Sequence, residues 1–291
     1  MVFVAALVAL AVVFAWPVPR LMARMTTFRR APRAALVLWQ SVAMAAVLSA
    51  LAAAPAVLPE IGQAVAGPGP ARAWATIAAI LSGLMLARLL ISGHQIGTHL
   101  RALRRRHREL VDLLAEAGNA PADARMRVLE HATPTAYCLP GLRSRVVLSQ
   151  GTIDALPAAE LEAVLAHERA HLRERHDLLL EFFTVIHVAV PSYFRCPEAL
   201  REVRLLAEVL ADRSAAKAFG RVTMARALVA LAGSAPPAAA MGAGGSTVRI
   251  RLDLLLEVTQ PRILLSLMLF GFAALAICVP IALVVARWTT G

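Results

Sequence analysis

The chain has 291 residues, 59% of them hydrophobic, and a formal net charge of +11 from 30 basic and 19 acidic residues. A soluble globular domain is about 45–50% apolar, so this composition argues against an ordinary soluble protein and for a membrane protein. Cys138, Cys196 and Cys278 lie far apart with no CxxC pair, which excludes a disulfide framework and a cysteine-based metal site.

Four stretches are long and apolar enough to approach the roughly 20 residues that a bilayer demands. The first runs from Val2 to about Val18 and ends at Pro17 and Pro19. It has no positive n-region, so it reads as a retained anchor, not a signal peptide. The second runs from about Ala34 to Leu58 and the third from about Ala73 to Ser92. The one charge in the third, Arg88, lies near an end, where a long side chain can snorkel to the headgroups. The fourth runs from Ile263 to Ala286. Arg20, Arg24, Arg29, Arg30 and Arg33 follow the first span, and Arg101, Arg104, Arg105, Arg106 and Arg108 follow the third. The positive-inside rule then puts the first loop and the region between the third and fourth spans in the cytoplasm, with both termini outside. The arginine run 101–108 has no interleaved aromatics and no nucleic-acid fold around it, so it reads as a topology determinant and lipid contact, with no direct nucleic-acid partner expected.

Between the third and fourth spans, Leu100 to Ala117 reads as a helix ending near Gly118 and Asn119. Arg145–Ser149 is a strand signal after the turn Pro140-Gly141. That strand has two readings: a partner for an extended substrate by strand addition, or an ordinary internal hairpin. A helix follows from near Pro157, with Leu161, Val164, Leu165 and Leu172 on helical spacing. Leu178 to Phe194 is apolar but short for a span, holds Glu181, Thr184 and His187, and is broken by Pro191, so it reads as re-entrant, interfacial or core. A further helix spans about Pro197 to Phe219, and Ser234 to Ser246 reads as a loop of low order.

The helix from Pro157 carries His167-Glu-Arg-Ala-His171, an H-E-x-x-H motif. Its two imidazoles lie one turn apart on one face, the spacing that holds a single Zn²⁺. Glu168, about 100° round the helix from His167, is left free to act as a base toward a polarised water. A catalytic zinc needs a third protein ligand and an open position. The next helix offers Glu208 as that ligand, with Asp212 one turn further to orient a ligand imidazole. The apolar neighbours Leu205, Leu206, Val209 and Leu210 imply that at least one of these acids points inward and needs a partner. If His167 and Glu208 share one metal, Leu178–Phe194 must return the chain to the side it left. His176, His187, Tyr193 and Arg213 are weaker candidates.

Val164-Leu-Ala-His-Glu-Arg-Ala-His171, followed by Glu208-Val-Leu-Ala-Asp212 and preceded by Pro134-Thr-Ala-Tyr-Cys-Leu-Pro-Gly141, resembles the gluzincin-type integral-membrane peptidases. The match is closer to the BlaR/MecR-type antirepressor metallopeptidases than to the HtpX type, and covers roughly Ala132 to Gly220. The resemblance implies zinc on His167, His171 and Glu208, Glu168 as catalytic base, Asp212 in support, and a cytoplasmic site that cleaves a transcriptional repressor or the peptidase itself. BlaR/MecR sensors carry a penicillin-binding domain after the last span, whereas this chain ends at Gly291. Ser214-Ala-Ala-Lys217 fits S-x-x-K, but no other lysine is available for K-T-G, so β-lactam sensing is not expected.

The expected architecture is therefore a mostly α membrane protein. Residues 1–92 form a membrane domain of three transmembrane helices. Residues 93–262 form a cytoplasmic, mainly helical zinc-peptidase domain with a short β segment, and 263–291 a fourth span with a short external tail. The expected setting is the bacterial inner or plasma membrane. The expected partners are the lipid bilayer and a protein substrate such as a DNA-binding repressor; a homodimer is also open. The alternatives are a membrane-protein quality-control peptidase and a non-catalytic signalling or scaffold protein.

Overall fold

The computed structural model describes residues 2–57, 70–115, 126–141, 144–232, 247–257 and 262–290. The chain divides into two compact units. The first comprises Met1–Gln95, Phe182–Val203 and Pro261–Gly291; the second comprises Ile96–Glu181 and Arg204–Gln260. The segment Phe182–Val203, which the sequence alone assigns to the intervening domain, thus clusters with the apolar helices.

The first unit is built on α1 (Val2–Ala15), α2 (Pro17–Arg24), α3 (Pro32–Ala52), the first part of α4 (Pro70–Leu114) and α11 (Ile263–Thr290). Four helical segments among the described residues are long and apolar enough to cross a membrane: Val2–Arg24, Pro32–Ala52, Ala75–Leu114 and Ile263–Thr289. The first is longer than the sequence suggests, because α2 restarts at Pro17 with proline in its first turn and carries the run on to Arg24. Both α1 and α11 pack on α3. Small residues allow close approach: Ala53, Ala56, Ala75 and Ala78 are buried with Val4, Leu7 and Val57. The outward faces of α4 and α11 carry Ile80, Leu84, Leu90, Leu264, Leu267 and Leu275 exposed. Ser82 Oγ donates to the Ala50 carbonyl at 2.7 Å and accepts from Ala54 N–H at 3.2 Å, serving backbone groups freed where α3 ends.

Arg88 is also held by the protein itself. Its guanidinium donates to the carbonyls of Ala189 and Val188 at the end of α7 (His176–Ala189). Helix α7 has 14 residues, roughly 21 Å at about 1.5 Å per residue, short of a hydrocarbon core of about 30 Å. It is followed by a single turn at Ser192–Phe194 and then α8 (Pro197–Phe219).

The second unit contains a three-stranded sheet of β1 (Met126–Leu129), β2 (Ala136–Leu139) and β3 (Arg145–Ser149), in the order β1-β3-β2. β1 lies parallel to β3, and β2 antiparallel, with Ala136 opposite Leu148 and Cys138 opposite Val146. Strand alternation sends Val147 to one face, with Val111, Tyr137 and Leu139. Val146 and Leu148 go to the other, against Leu165. β3 is paired on both sides, so it cannot itself accept a substrate strand; of its two earlier readings, the internal one holds. Helices α5 (Gln150–Ala155), α6 (Ala158–Arg173), α9 (Arg221–Ala230) and α10 (Val248–Leu256) complete the unit. Helix α6 is central: Leu165 meets the sheet, Val164 meets Ala227 of α9, and Ala163 meets Ala215, Met224 and Leu255. Ser149 ends β3 and caps α5, accepting from Thr152 N–H at 3.1 Å while its hydroxyl donates to the Thr133 carbonyl at 2.8 Å. Beside it, Gly151 is packed so closely that a β-carbon would stand 1.9 Å from the Ala132 carbonyl oxygen. The expected helix end at Gly118-Asn119 and the loop Ser234–Ser246 lie outside the described residues.

Candidate metal centre

The second unit gathers His167, Glu168 and His171 from α6, His176 from the start of α7, Glu208 and Asp212 from α8, and Arg251 from α10, all of them buried. His167 Nε2 lies 3.1 Å from His171 Nε2. Each stands 3.5 Å from an oxygen of Glu208. His167 faces Oε2 of that carboxylate and His171 faces Oε1, and one ligand atom from each of the three residues lies within 4.8 Å of the others. A tetrahedral zinc with ligands at about 2.0–2.1 Å separates them by about 3.3–3.4 Å. The residues present therefore fit a zinc ion, and His167, His171 and Glu208 are the group that can hold one.

Each imidazole is held from behind. His167 Nδ1 is 3.0 Å from Asp212 Oδ1, and His171 Nδ1 is 2.8 Å from His176 Nδ1. With Nε2 directed at the metal position, a proton on each Nδ1 would point toward Asp212 and His176 respectively. His176 reaches this place because Arg175 adopts a left-handed conformation, φ 54°, which ends α6 and turns the chain sharply into α7. Asp212 is gripped by Arg251, whose Nε donates to Oδ2 at 2.8 Å and Nη2 to Oδ1 at 2.6 Å. Arg251 Nη1 lies 2.9 Å from Glu208 Oε2. One guanidinium therefore neutralises both carboxylates and fixes their spacing.

Without a metal, the electrostatics are those of a preformed cation site. Burial opposes charge on His167, but Asp212 and Glu208 outweigh it, and its pKa is pushed up to about 10. His171 is pushed down to about 3, chiefly by burial, and stays neutral. Burial would raise Glu208 and Asp212, yet His171, His167 and Arg251 hold Glu208, and Arg251 and His167 hold Asp212, below the usual carboxylate range. Glu168 behaves differently. Burial raises it to about 7, and its Oε2 is buried with no hydrogen-bond partner among the described residues. The Cys138 thiol from β2 donates to the same carboxylate, and burial, then Glu168, pushes that thiol well above its ordinary value.

The structure thus brings together all five residues that the sequence singles out for the site. It adds Arg251 and Cys138, which sequence reasoning missed, and His176, which the sequence leaves as a weak candidate. Arg251 is one arginine among many and lies 39 residues beyond Asp212. Cys138 is a lone thiol with no ligand spacing. Tyr193 and His187 belong to the first unit. There the Tyr193 ring packs 6.0 Å from Trp16. Ser214 accepts a hydrogen bond from Arg173 at 2.7 Å, which engages the hydroxyl of the discounted S-x-x-K motif.

The fold and the site define a mainly helical unit with a buried His-His-Glu group that can hold a metal ion. Residues 101–232 match the family model of Peptidase family M48, and that segment contains His167, Glu168, His171, Glu208 and Asp212 but not Arg251. The chain is also 31% identical over 148 residues to the plastoglobule-localized metallopeptidase 48, chloroplastic, of Arabidopsis thaliana. That alignment covers 46% of this chain and 42% of the relative, so the chain matches less than half the length of the curated protein. No solved structure matches the chain at a significant level.

Proposed function

We propose that this chain is a membrane-embedded zinc endopeptidase of the H-E-x-x-H gluzincin type, with its site on the cytoplasmic side. The observation that carries this reading is the buried cluster of His167, His171 and Glu208, together with a buried Glu168 oxygen that has no hydrogen-bond partner among the described residues. Bound zinc supplies Lewis acidity to a substrate carbonyl and lowers the pKa of a ligated water toward about 7. The protein's own part follows from its side chains. His167 and His171 present Nε2 because Asp212 and His176 hold their Nδ1 atoms. Glu168, poised near neutrality, takes a proton at its carboxylate from the attacking water and passes it to the departing amine nitrogen. The dry walls around it strengthen both transfers. β2 has one edge paired with β3 and no second strand partner among the described residues, so an extended peptide can add to that edge.

The arginine-rich loops support cytoplasmic exposure of the site, and the resemblance to BlaR/MecR-type antirepressor peptidases supports a DNA-binding repressor as substrate. Glu168→Gln tests the chemistry. The purified variant is expected to retain zinc, because Glu168 is not a ligand, and to lose peptide cleavage by about 10²–10⁴-fold. Wild-type protein that binds no zinc, or a variant that cleaves at the wild-type rate, overturns the reading. Comparison of cellular proteomes with wild type and Glu168→Gln then separates a single repressor substrate from a spectrum of misfolded membrane proteins.

A further inference from the structure

Within the first unit, a cavity of about 260 Å³ is walled by α1, α3, α4, α7 and the start of α8. Its walls are apolar, with Trp39, Ala46, Leu84 and Phe183 among them, and no lining residue is acidic. Two of the lining residues are Arg88 and Arg195. Both guanidiniums converge on one carbonyl: Arg195 Nη2 donates to Val188 O at 3.1 Å, and Arg88 Nη2 approaches the same oxygen at 3.4 Å. Arg20 joins them, donating to the carbonyl of Arg195 at 3.0 Å. Glu198, an acid that feels the charge of Arg20, is engaged by Arg201 at 3.1 Å. Among the described residues, neither Arg88 nor Arg195 makes an ion pair with a carboxylate. A backbone carbonyl is a neutral dipole and leaves the net charge in place. Two like charges held together against apolar walls repel each other in a low dielectric, and an anion relieves that repulsion.

From this we infer that the first unit contains a binding site for an anionic phospholipid, its phosphate on Arg88 and Arg195 and one acyl chain in the adjoining cavity. The cavity decides for a lipid over a free anion: an apolar chamber gives inorganic phosphate nothing, whereas an acyl chain gains from every buried methylene. Arg20, Arg88 and Arg195 gather at one end of the apolar helices, as headgroup contacts do. The inference rests on the reading of these helices as membrane spans, but not on the zinc chemistry.

The test is native mass spectrometry of the full chain in mild detergent, titrated separately with phosphatidylglycerol, phosphatidylcholine and inorganic phosphate. Phosphatidylglycerol is expected to bind about tenfold more tightly than phosphatidylcholine, or better. Inorganic phosphate is expected not to displace it. The double variant Arg88→Gln, Arg195→Gln should bring the two lipids level. Since both arginines also hold the end of α7, Ala46→Phe provides a second variant: it fills the cavity, leaves the arginines intact and should weaken phosphatidylglycerol binding about tenfold. Equal binding of the two lipids, displacement by inorganic phosphate, or unchanged binding to Ala46→Phe overturns the site. The Glu168→Gln protein should bind lipid as wild type does, so failure of the peptidase reading leaves this result untouched. Release of the chain from membranes by alkaline carbonate would instead overturn the membrane reading itself.

Discussion

Two regions of the molecule treat arginine in opposite ways. In the apolar first unit, Arg88 and Arg195 direct their donors at backbone carbonyls and keep their charge. In the second unit, Arg251 is only 5% exposed and meets Asp212 and Glu208, so its charge is cancelled where it stands. The residue type is the same, and the counter-group decides the role. Carbonyl partners tie off a helix end and leave a cation available to something outside the protein. Carboxylate partners build a rigid internal frame on which ligand geometry depends.

The largest effect that bears on this contrast belongs to Arg251→Leu. It strands two buried carboxylates, and breaking a buried pair in this way costs about 3–5 kcal/mol. Chemical denaturation of metal-free protein should show that loss. Excess zinc should restore part of it, because the ion replaces some of the missing positive charge. A loss no larger than that of a surface arginine would mean that the frame is not held from α10.

Next come the two residues behind the imidazoles. Asp212→Asn and His176→Phe each remove an acceptor from a ligand Nδ1–H, and such changes lower metal affinity by about 10–100-fold. Asp212 should lie at the upper end and His176 at the lower, since a carboxylate accepts more strongly than a neutral imidazole. Competition against a chromogenic chelator reads both. The reverse order would break the assignment of a charged support to His167 and a neutral one to His171.

The pH dependence sharpens the same point. His167 has its pKa raised to about 10 in the metal-free protein. Its protonated form therefore adds stability that is fully present below about pH 6.5 and is lost as pH rises through about 10. Zinc has to displace that proton, whereas His171, lowered to about 3, has none to give. Zinc affinity is then expected to rise by about tenfold per pH unit between about 6.5 and 10. Calorimetry in buffers of different ionisation enthalpy should count close to one proton released per zinc. The smallest expected effect is Arg88→Gln, which removes hydrogen bonds to the end of α7 and costs about 1 kcal/mol. It should leave zinc affinity unchanged.

Much of the metal centre was legible because helices impose their period on sequence. His167 and His171 are i and i+4, as are Glu208 and Asp212, so each pair shares a face before any fold is known. The strand Arg145–Ser149 was legible for a different reason, its β-branched run after the turn Pro140-Gly141. The rest depends on contacts that no local period encodes. Arg251 sits on a nine-residue helix whose sequence, Val-Arg-Ile-Arg-Leu-Asp-Leu-Leu-Leu, alternates apolar and charged residues with a period of two, which marks no helical face. Its partners are fixed only by tertiary packing of Leu255 against Ala163 and Ala215. His176 owes its place to a left-handed Arg175, where glycine would be the usual signal. β1 pairs in parallel with a strand that starts 16 residues after it ends, and sequence alone gives no register for such a pair.

The position of Arg251 along the chain also orders events during synthesis. The N-terminal part of a chain is made and begins to fold first. The two imidazoles and both carboxylates emerge well before α10. Until residue 251 is made, Glu208 and Asp212 lack the cation that they share in the folded protein. The cation that completes the frame is thus the last of its charged parts to be made, twelve residues ahead of the start of α11.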